Sequence, residues 1–218
     1  MDSIEIKQLE SSGITMIVAY IPKAQFISYR LNSPEDIGIY VETVSRLIES
    51  IPNDKKLTIS LLEQASKKKL RLECEGHVSS VSVEEGAGDV EKEPHVVFKS
   101  VAEIDGKLLH KTVREIAKAG SDIIVAVKIG KDGLGLAVKL EGGRYTRRTF
   151  DRSQVMVRAD AQEQIAAYKT GYVESMLKGL KKDTPVTIQL TTKEALKISY
   201  HMDRADFAYY LAPYVEDE

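Results

Sequence analysis

The 218-residue chain has one cysteine, Cys74, so it forms no internal disulfide and offers no thiolate cluster for a metal. Histidine is also scarce. His77, His95, His110 and His201 are scattered, and none stands at a metal-ligand spacing from Cys, Asp or Glu. No apolar run approaches the ~20 residues that a membrane-spanning helix needs. The opening residues Met1-Asp2-Ser3-Ile4-Glu5 lack the basic-then-apolar pattern of a secretion signal, and an intracellular protein is expected. A net charge of −2 gives no overall attraction to nucleic acid, so any such attraction must come from a local patch.

Catalytic signatures are missing as well. The glycines of 130–135 and 142–143 match neither a P-loop nor a dinucleotide fingerprint and read as hairpin turns. Ser11-Ser12-Gly13 has no base or orienting group beside it. Asp151 and Asp160 flank a strand around Val155-Met-Val-Arg158. No active site, metal site or cofactor is expected, and an unrecognised α+β enzyme would need a constellation that the spacing does not reveal.

With 43% hydrophobic and 29% charged residues, the composition is that of a globular protein. The chain also repeats itself. Tyr40-Val-Glu-Thr43 opens an apolar-periodic segment (Val41, Val44, Leu47, Ile48, Ile51). A strand Leu57-Thr-Ile-Ser-Leu61, a polar turn and Leu70-Arg-Leu-Glu-Cys74 follow it. Tyr172-Val-Glu-Ser175 begins the same series, with Val173, Met176, Leu177 and Leu180, then Val186-Thr-Ile-Gln-Leu190 and Leu196-Lys-Ile-Ser-Tyr200. Upstream, Gly13-Ile-Thr-Met-Ile-Val18 is paired with Gly133-Leu-Gly-Leu-Ala-Val138. Two tandem copies of one α+β unit are expected, as domains 1–83 and 95–218 with a glycine- and acid-rich connector at 84–94. By this pairing the first copy lacks the opening strand and helix of the second.

Within 105–120, Lys107, Lys111, Arg114 and Lys118 recur at i, i+4, i+7 and i+11, placing four cations on one helical face. Leu109, Val113, Ile116 and Ala117 take the opposite side, with Asp105 at the start and Gly120 past the end as caps. Lys178, Lys181 and Lys182 close the later helix, and Arg46 lies in its counterpart. Such a stripe is a solvated face or a phosphate-binding one. Its recurrence on equivalent elements of an acidic chain favours phosphates, contacted without regard to base sequence. No aromatics interleave with the cations, which argues against single-strand stacking.

The last residues, Phe207-Ala-Tyr-Tyr-Leu-Ala-Pro213, are apolar where a terminus is ordinarily polar and frayed. Pro213 stops the strand near Leu211. What remains is either a C-terminal edge strand held by its aromatics or a docking surface for a peptide.

The terminal Tyr209-Tyr210-Leu211-Ala212-Pro213 with its acidic tail resembles the sliding clamps of the proliferating cell nuclear antigen (PCNA) family. So do Phe26-Ile-Ser-Tyr-Arg30, Gly38-Ile39 leading into the Tyr40 helix, Arg114-Glu-Ile-Ala-Lys-Ala-Gly120 and Val186-Thr-Ile-Gln-Leu190. The likeness runs from about Glu5 to the end, and a leading strand–helix–strand portion of the family's first domain is largely missing. It implies an α+β clamp fold with antiparallel sheets outside and helices lining the inner face of a three-subunit ring, homomeric or built with paralogous subunits. Arg46, Lys107, Lys111, Arg114, Lys118, Lys178 and Lys181 would then face double-stranded DNA. Leu9, Gly13, Ile14, Val90, Tyr210, Ala212 and Pro213 would form the pocket for a short peptide carried by DNA polymerase, clamp loader, flap endonuclease and DNA ligase. Ala195 stands where many members have proline. Subunit edges would lie near 71–83 and 144–150. The resemblance implies no catalysis, no cofactor and no membrane, with a cytoplasmic, nucleoid-associated place in an archaeon or a nuclear one in a eukaryote. The alternative is a non-ring or heteromeric clamp-like adaptor that binds partner peptides.

Overall fold

A computed structural model describes residues 3–52, 55–64, 67–85, 92–118, 123–139, 144–159, 162–181 and 183–215. The first copy of the repeat supplies β1 (Ser3–Leu9), β2 (Thr15–Pro22), a 3-10 turn (Lys23–Gln25), β3 (Ile37–Gly38) and α1 (Val41–Glu49). It continues with β4 (Thr58–Gln64), β5 (Lys67–Cys74), β6 (His77–Ser82) and β7 (Glu84–Glu85). The second copy supplies β8 (Ser100–Asp105), α2 (Gly106–Ala117), β9 (Ile124–Gly130), β10 (Gly133–Lys139), β11 (Tyr145–Asp151) and β12 (Val155–Ala159). Then come β13 (Gln164–Lys169), α3 (Thr170–Leu177), β14 (Pro185–Leu190), β15 (Leu196–Met202) and β16 (Ala205–Leu211). All strand pairings among the described residues are antiparallel. Packing forms two units, one of Arg30–Val90 and one of Asp2–Tyr29 with Glu91–Glu218. The linear division at 84–94 follows the repeat, whereas packing places 2–29 with the second copy.

The larger unit holds a seven-stranded sheet, ordered β1-β2-β16-β15-β14-β8-β12, and a four-stranded sheet, β11-β10-β9-β13. Strand alternation supplies its core. Ser100, Ala102 and Ile104 of β8 are buried while Val101, Glu103 and Asp105 are not, and Val186, Ile188 and Leu190 of β14 repeat the pattern. The helices α2 and α3 pack together, and Leu109, Val113, Ile116, Val173, Met176 and Leu177 join one cluster with the strands. Fully burying a side chain of this size stabilises by roughly 1.5–3 kcal/mol. Two close approaches require glycine. A Cβ on Gly106 would stand 2.5 Å from the Thr184 carbonyl oxygen, which accepts the Gly106 amide at 2.9 Å. A Cβ on Gly133, at φ +144°, would stand 2.0 Å from the Phe150 carbonyl oxygen.

The terminal strand departs from the edge-strand expectation. β16 ends at Leu211, before Pro213, but it lies between β15 and β2, hydrogen-bonded on both sides. The sequence offers no sign of this, because β2 comes from the far end of the chain.

The smaller unit contains the sheet β4-β5-β6, the short β3–β7 ladder and α1. Among its described apolar residues only Val44, Leu72 and Cys74 are buried.

Element spacing also corrects the upstream pairing of the repeat. The starts of β1 and β10, β2 and β11, α1 and α3, β4 and β14, β5 and β15, and β6 and β16 all lie about 130 residues apart. Gly13 and Gly133 do not fit this offset. Gly13 sits at φ +69° in the β1–β2 turn, whereas Gly133 begins a strand. The two glycines look alike because both hold positive φ, not because they are counterparts. With the offset corrected, the described residues hold no counterpart of β8, α2 or β9.

Candidate nucleic-acid interface and peptide-docking surface

The helix α2 starts where Asp105 accepts the Leu108 amide at 2.7 Å, an N-cap that satisfies one of the first-turn donors. Its apolar side, Leu109, Val113 and Ile116, is buried, while Lys107, Lys111, Arg114 and Lys118 are exposed. None of these four cations forms an ion pair with a described residue. Lys178 is also exposed, at the end of α3. Lys107 and Lys181 meet His110 and Leu180 around an open depression of about 290 Å³. The expected stripe is thus intact on α2. An uncompensated row of cations backed by a packed core attracts phosphates and reads no base edges.

Two cations differ from the expectation. Lys181 is bound to Asp203 at 2.5 Å, and Arg46 to Glu42 one turn earlier on α1, also at 2.5 Å. Each is partly neutralised. The Arg46 partner was legible at i−4. Asp203 comes from the β15–β16 turn, and no local pattern announces it. Lys182 and Gly120 lie outside the described residues.

The second candidate surface forms where β1, β2 and β16 adjoin. Leu9 lies opposite Met16, and Met16 lies opposite Tyr210. Met16, Val18 and Tyr210 form a small core against which Leu9, Phe98 and Ala208 pack. The Ala212 amide donates to the Ile14 carbonyl at 2.9 Å, and the Tyr214 amide to Ala167 at 2.7 Å, so the backbone past β16 is held on both sides. The structure therefore brings together Leu9, Ile14, Tyr210 and Ala212, with half-buried Pro213 following and Gly13 at the exposed turn. Val90 lies outside the described residues.

Tyr210 is a wall of this surface and not an open donor. Its hydroxyl donates to Glu93 at 2.7 Å, and the Lys197 ammonium lies 5.0 Å from its ring centre. Burial, then the hydrogen bond to Glu93 and that carboxylate's charge, push its pKa well above the ordinary phenol value. Neither partner was legible. Glu93 lies in the connector, and nothing local links it to the terminal strand.

The remaining titratable groups have structural surroundings. Asp151 accepts the Ser153 hydroxyl and amide, which hold its carboxyl below its usual pKa and fix the turn after β11. Asp160 lies outside the described residues. His201 meets Asp206 at 2.8 Å across the β15–β16 hairpin, both exposed. Among the described residues no group of three or more His, Cys, Asp or Glu is arranged to hold a metal. No described helix is long and apolar enough to cross a membrane.

No family model matches the chain. It aligns with curated proteins named DNA polymerase sliding clamp. The relative from Pyrococcus furiosus is 22% identical over 226 residues, covering 99% of this chain and 87% of that protein. The relative from Thermococcus gammatolerans is 20% identical over 224 residues with the same coverage. Among solved structures, the PCNA of A. fulgidus bound to the C-terminal region of FEN-1 superposes with a TM-score of 0.86 at 16% identity, covering 100% of this chain and 87% of that one.

Proposed function

From the premise that this chain is a PCNA-family clamp in sequence and fold, we propose that it acts as a DNA sliding clamp. Three subunits close into a ring around duplex DNA and tether polymerase and other replication and repair enzymes as a processivity factor, without catalysing a reaction. The domains are 1–83 and 95–218, joined by 84–94. Lys107, Lys111, Arg114, Lys118 and Lys178 face the phosphates, with Arg46 and Lys181 as weaker, ion-paired contributors. Leu9, Gly13, Ile14, Val90, Tyr210, Ala212 and Pro213 receive the partner peptide. The clamp loader, DNA polymerase, flap endonuclease and DNA ligase are the partners this reading implies, in the cytoplasm of an archaeal cell.

The observation that carries the reading is the unpaired cationic face of α2 in a chain of net charge −2. Topology keeps a ring on DNA, so a modest phosphate-facing stripe suffices and still permits sliding. The repeat suggests how subunits join. β16 pairs with β2 inside one chain, and their counterparts β6 and β11 are both outer strands of their sheets. Head-to-tail pairing of β6 with β11 of the next subunit is a heterologous contact that closes into a ring when its rotation permits.

The test is Lys111→Ala with Arg114→Ala, measured as DNA engagement against salt concentration. The log–log slope should flatten by about one unit for each phosphate that is no longer neutralised. An unchanged slope and unchanged loading would remove α2 from the DNA face. The second reading, a non-ring or heteromeric adaptor, is favoured by charge at the outer strands, since β11 carries Arg147 and Arg148 while β6 has no carboxylate to oppose them. Light scattering separates the two: a strict monomer in every subunit mixture excludes the ring.

A further inference from the structure

The four-stranded sheet ends in two outer strands, β13 and β11, and the chain treats them differently. Along β13 the Ile165 amide donates to the Thr192 hydroxyl at 3.2 Å, and the Ala167 carbonyl accepts the Tyr214 amide at 2.7 Å. That edge is sealed from within the same unit. Along β11 the described residues pair only with β10, and Tyr145 to Thr149 are all exposed. An open strand edge is a template for strand addition.

The open edge is cationic. Arg144 precedes β11 and Arg147 and Arg148 lie within it, all exposed. None of the three forms an ion pair with a described residue. The one carboxylate of the strand, Asp151, is engaged by Ser153. Successive strand residues point to opposite faces, so Arg147 and Arg148 flank the edge from both sides of the sheet. A phosphate backbone lying on one face would meet only one of them. A strand laid along the edge meets both. Carboxylates on that strand gain from the contact, and further cations are repelled.

A second copy of this chain fits the edge poorly. Its outer strand β6, His77-Val-Ser-Ser-Val-Ser82, has no carboxylate to offer in any register. Next to β6, β5 carries Lys67, Lys68, Lys69 and Arg71 against one glutamate, Glu73, which is bound to Arg71. Pairing β11 with another β11 would set arginine against arginine. Like charge at a contact excludes a partner as effectively as complementary charge selects one.

We infer that the β11 edge takes the carboxylate-bearing outer strand of a different polypeptide and turns away a second copy of this chain. The incoming strand runs antiparallel to β11, as β16 runs to its counterpart β2, and brings one carboxylate to each face. The inference deepens the ring reading and rests on it for the direction of pairing.

The test turns this chain's own β6 into such a strand. Self-association is measured by sedimentation, with hydrogen exchange followed on β11 and unfolding curves confirming that each variant folds. The unaltered chain should associate weakly, and more strongly as salt rises from about 0.05 to 0.5 M, because screening relieves the repulsion. Ser79→Glu with Ser80→Glu should tighten association about tenfold or more, slow exchange in β11 and reverse the salt dependence. Ser80→Glu alone, at an exposed position, should give part of that gain. Glutamine at both positions should give none, and adding Arg147→Glu with Arg148→Glu should abolish it. Tight, salt-insensitive association of the unaltered chain through β11 would overturn the inference. So would folded acidic variants that associate no better than the unaltered chain, or protection of β11 by duplex DNA. Open dimers with β11 protected would uphold the inference and count against the closed ring, so the two readings fail separately.

Discussion

The stretch from Val44 to Leu61 and the stretch from Val173 to Leu190 have almost the same pattern of apolar residues, and they form the same helix and strand. One is closed beneath β8 and α2 and contributes to a large core, while the other is half open with only Val44 buried among its described residues. Burial is therefore not a property of the pattern. An apolar face states that something must cover it, and the neighbouring elements decide whether anything does.

Core truncation tests the contrast most severely. Leu177→Ala should cost about 2–5 kcal/mol, since it leaves a cavity among tightly packed neighbours. Ile48→Ala, at the equivalent position, should cost less than about 1 kcal/mol. Urea unfolding of both variants checks this. Equal costs would mean that the first copy is covered in solution, and the contrast would fail.

Alkaline unfolding gives a smaller effect. Tyr168, Tyr200 and Tyr210 all lie in the larger unit, and burial is the first cause that raises each pKa. Hydrogen-bonded or nearby Glu194, Tyr209 and Glu93 add to it. The folded protein favours the neutral phenols, so their contribution is fully present below the unfolded tyrosine value of about 10. It is lost as pH rises from there toward the folded values. Unfolding midpoints at pH 9 and pH 11 should therefore separate for the larger unit. The smaller unit should change less, because its raised tyrosine, Tyr40, is exposed and raised chiefly by its hydrogen bond to Glu84.

The smallest expected effect is local. Glu93→Gln should cost about 1–2 kcal/mol by removing the charged acceptor of the Tyr210 hydroxyl, and it should reduce the alkaline effect just described. Thermal or urea unfolding measures the first and tyrosinate absorbance the second. A neutral substitution would mean that the Glu93 carboxylate does not stabilise the Tyr210 hydroxyl.

Much of the candidate site was legible because its determinants are local. The α2 stripe follows from a 3.6-residue period, and Asp105 is recognisable as its cap by position alone. The halt of the last strand before Pro213 follows from proline's missing donor. The failures have a common cause. β16 was readable as a strand but not as an interior one, since its partner β2 lies almost the whole chain away. Gly13 and Gly133 each open a similar apolar strand pattern, and only element spacing separates them. Glu42 beside Arg46 was available at helical spacing, whereas Asp203 beside Lys181 and Glu93 beside Tyr210 were not.

The sequence by itself determined the helices, the strands, the duplication and the cationic face, because periodicity, capping and charge spacing act over a few residues. Tertiary structure alone decided three things: which apolar faces are closed, which cations keep their charge unopposed, and that the last strand lies inside a sheet. The physical reason is range. Each of those outcomes depends on a partner brought from far along the chain, and no local pattern encodes who that partner will be.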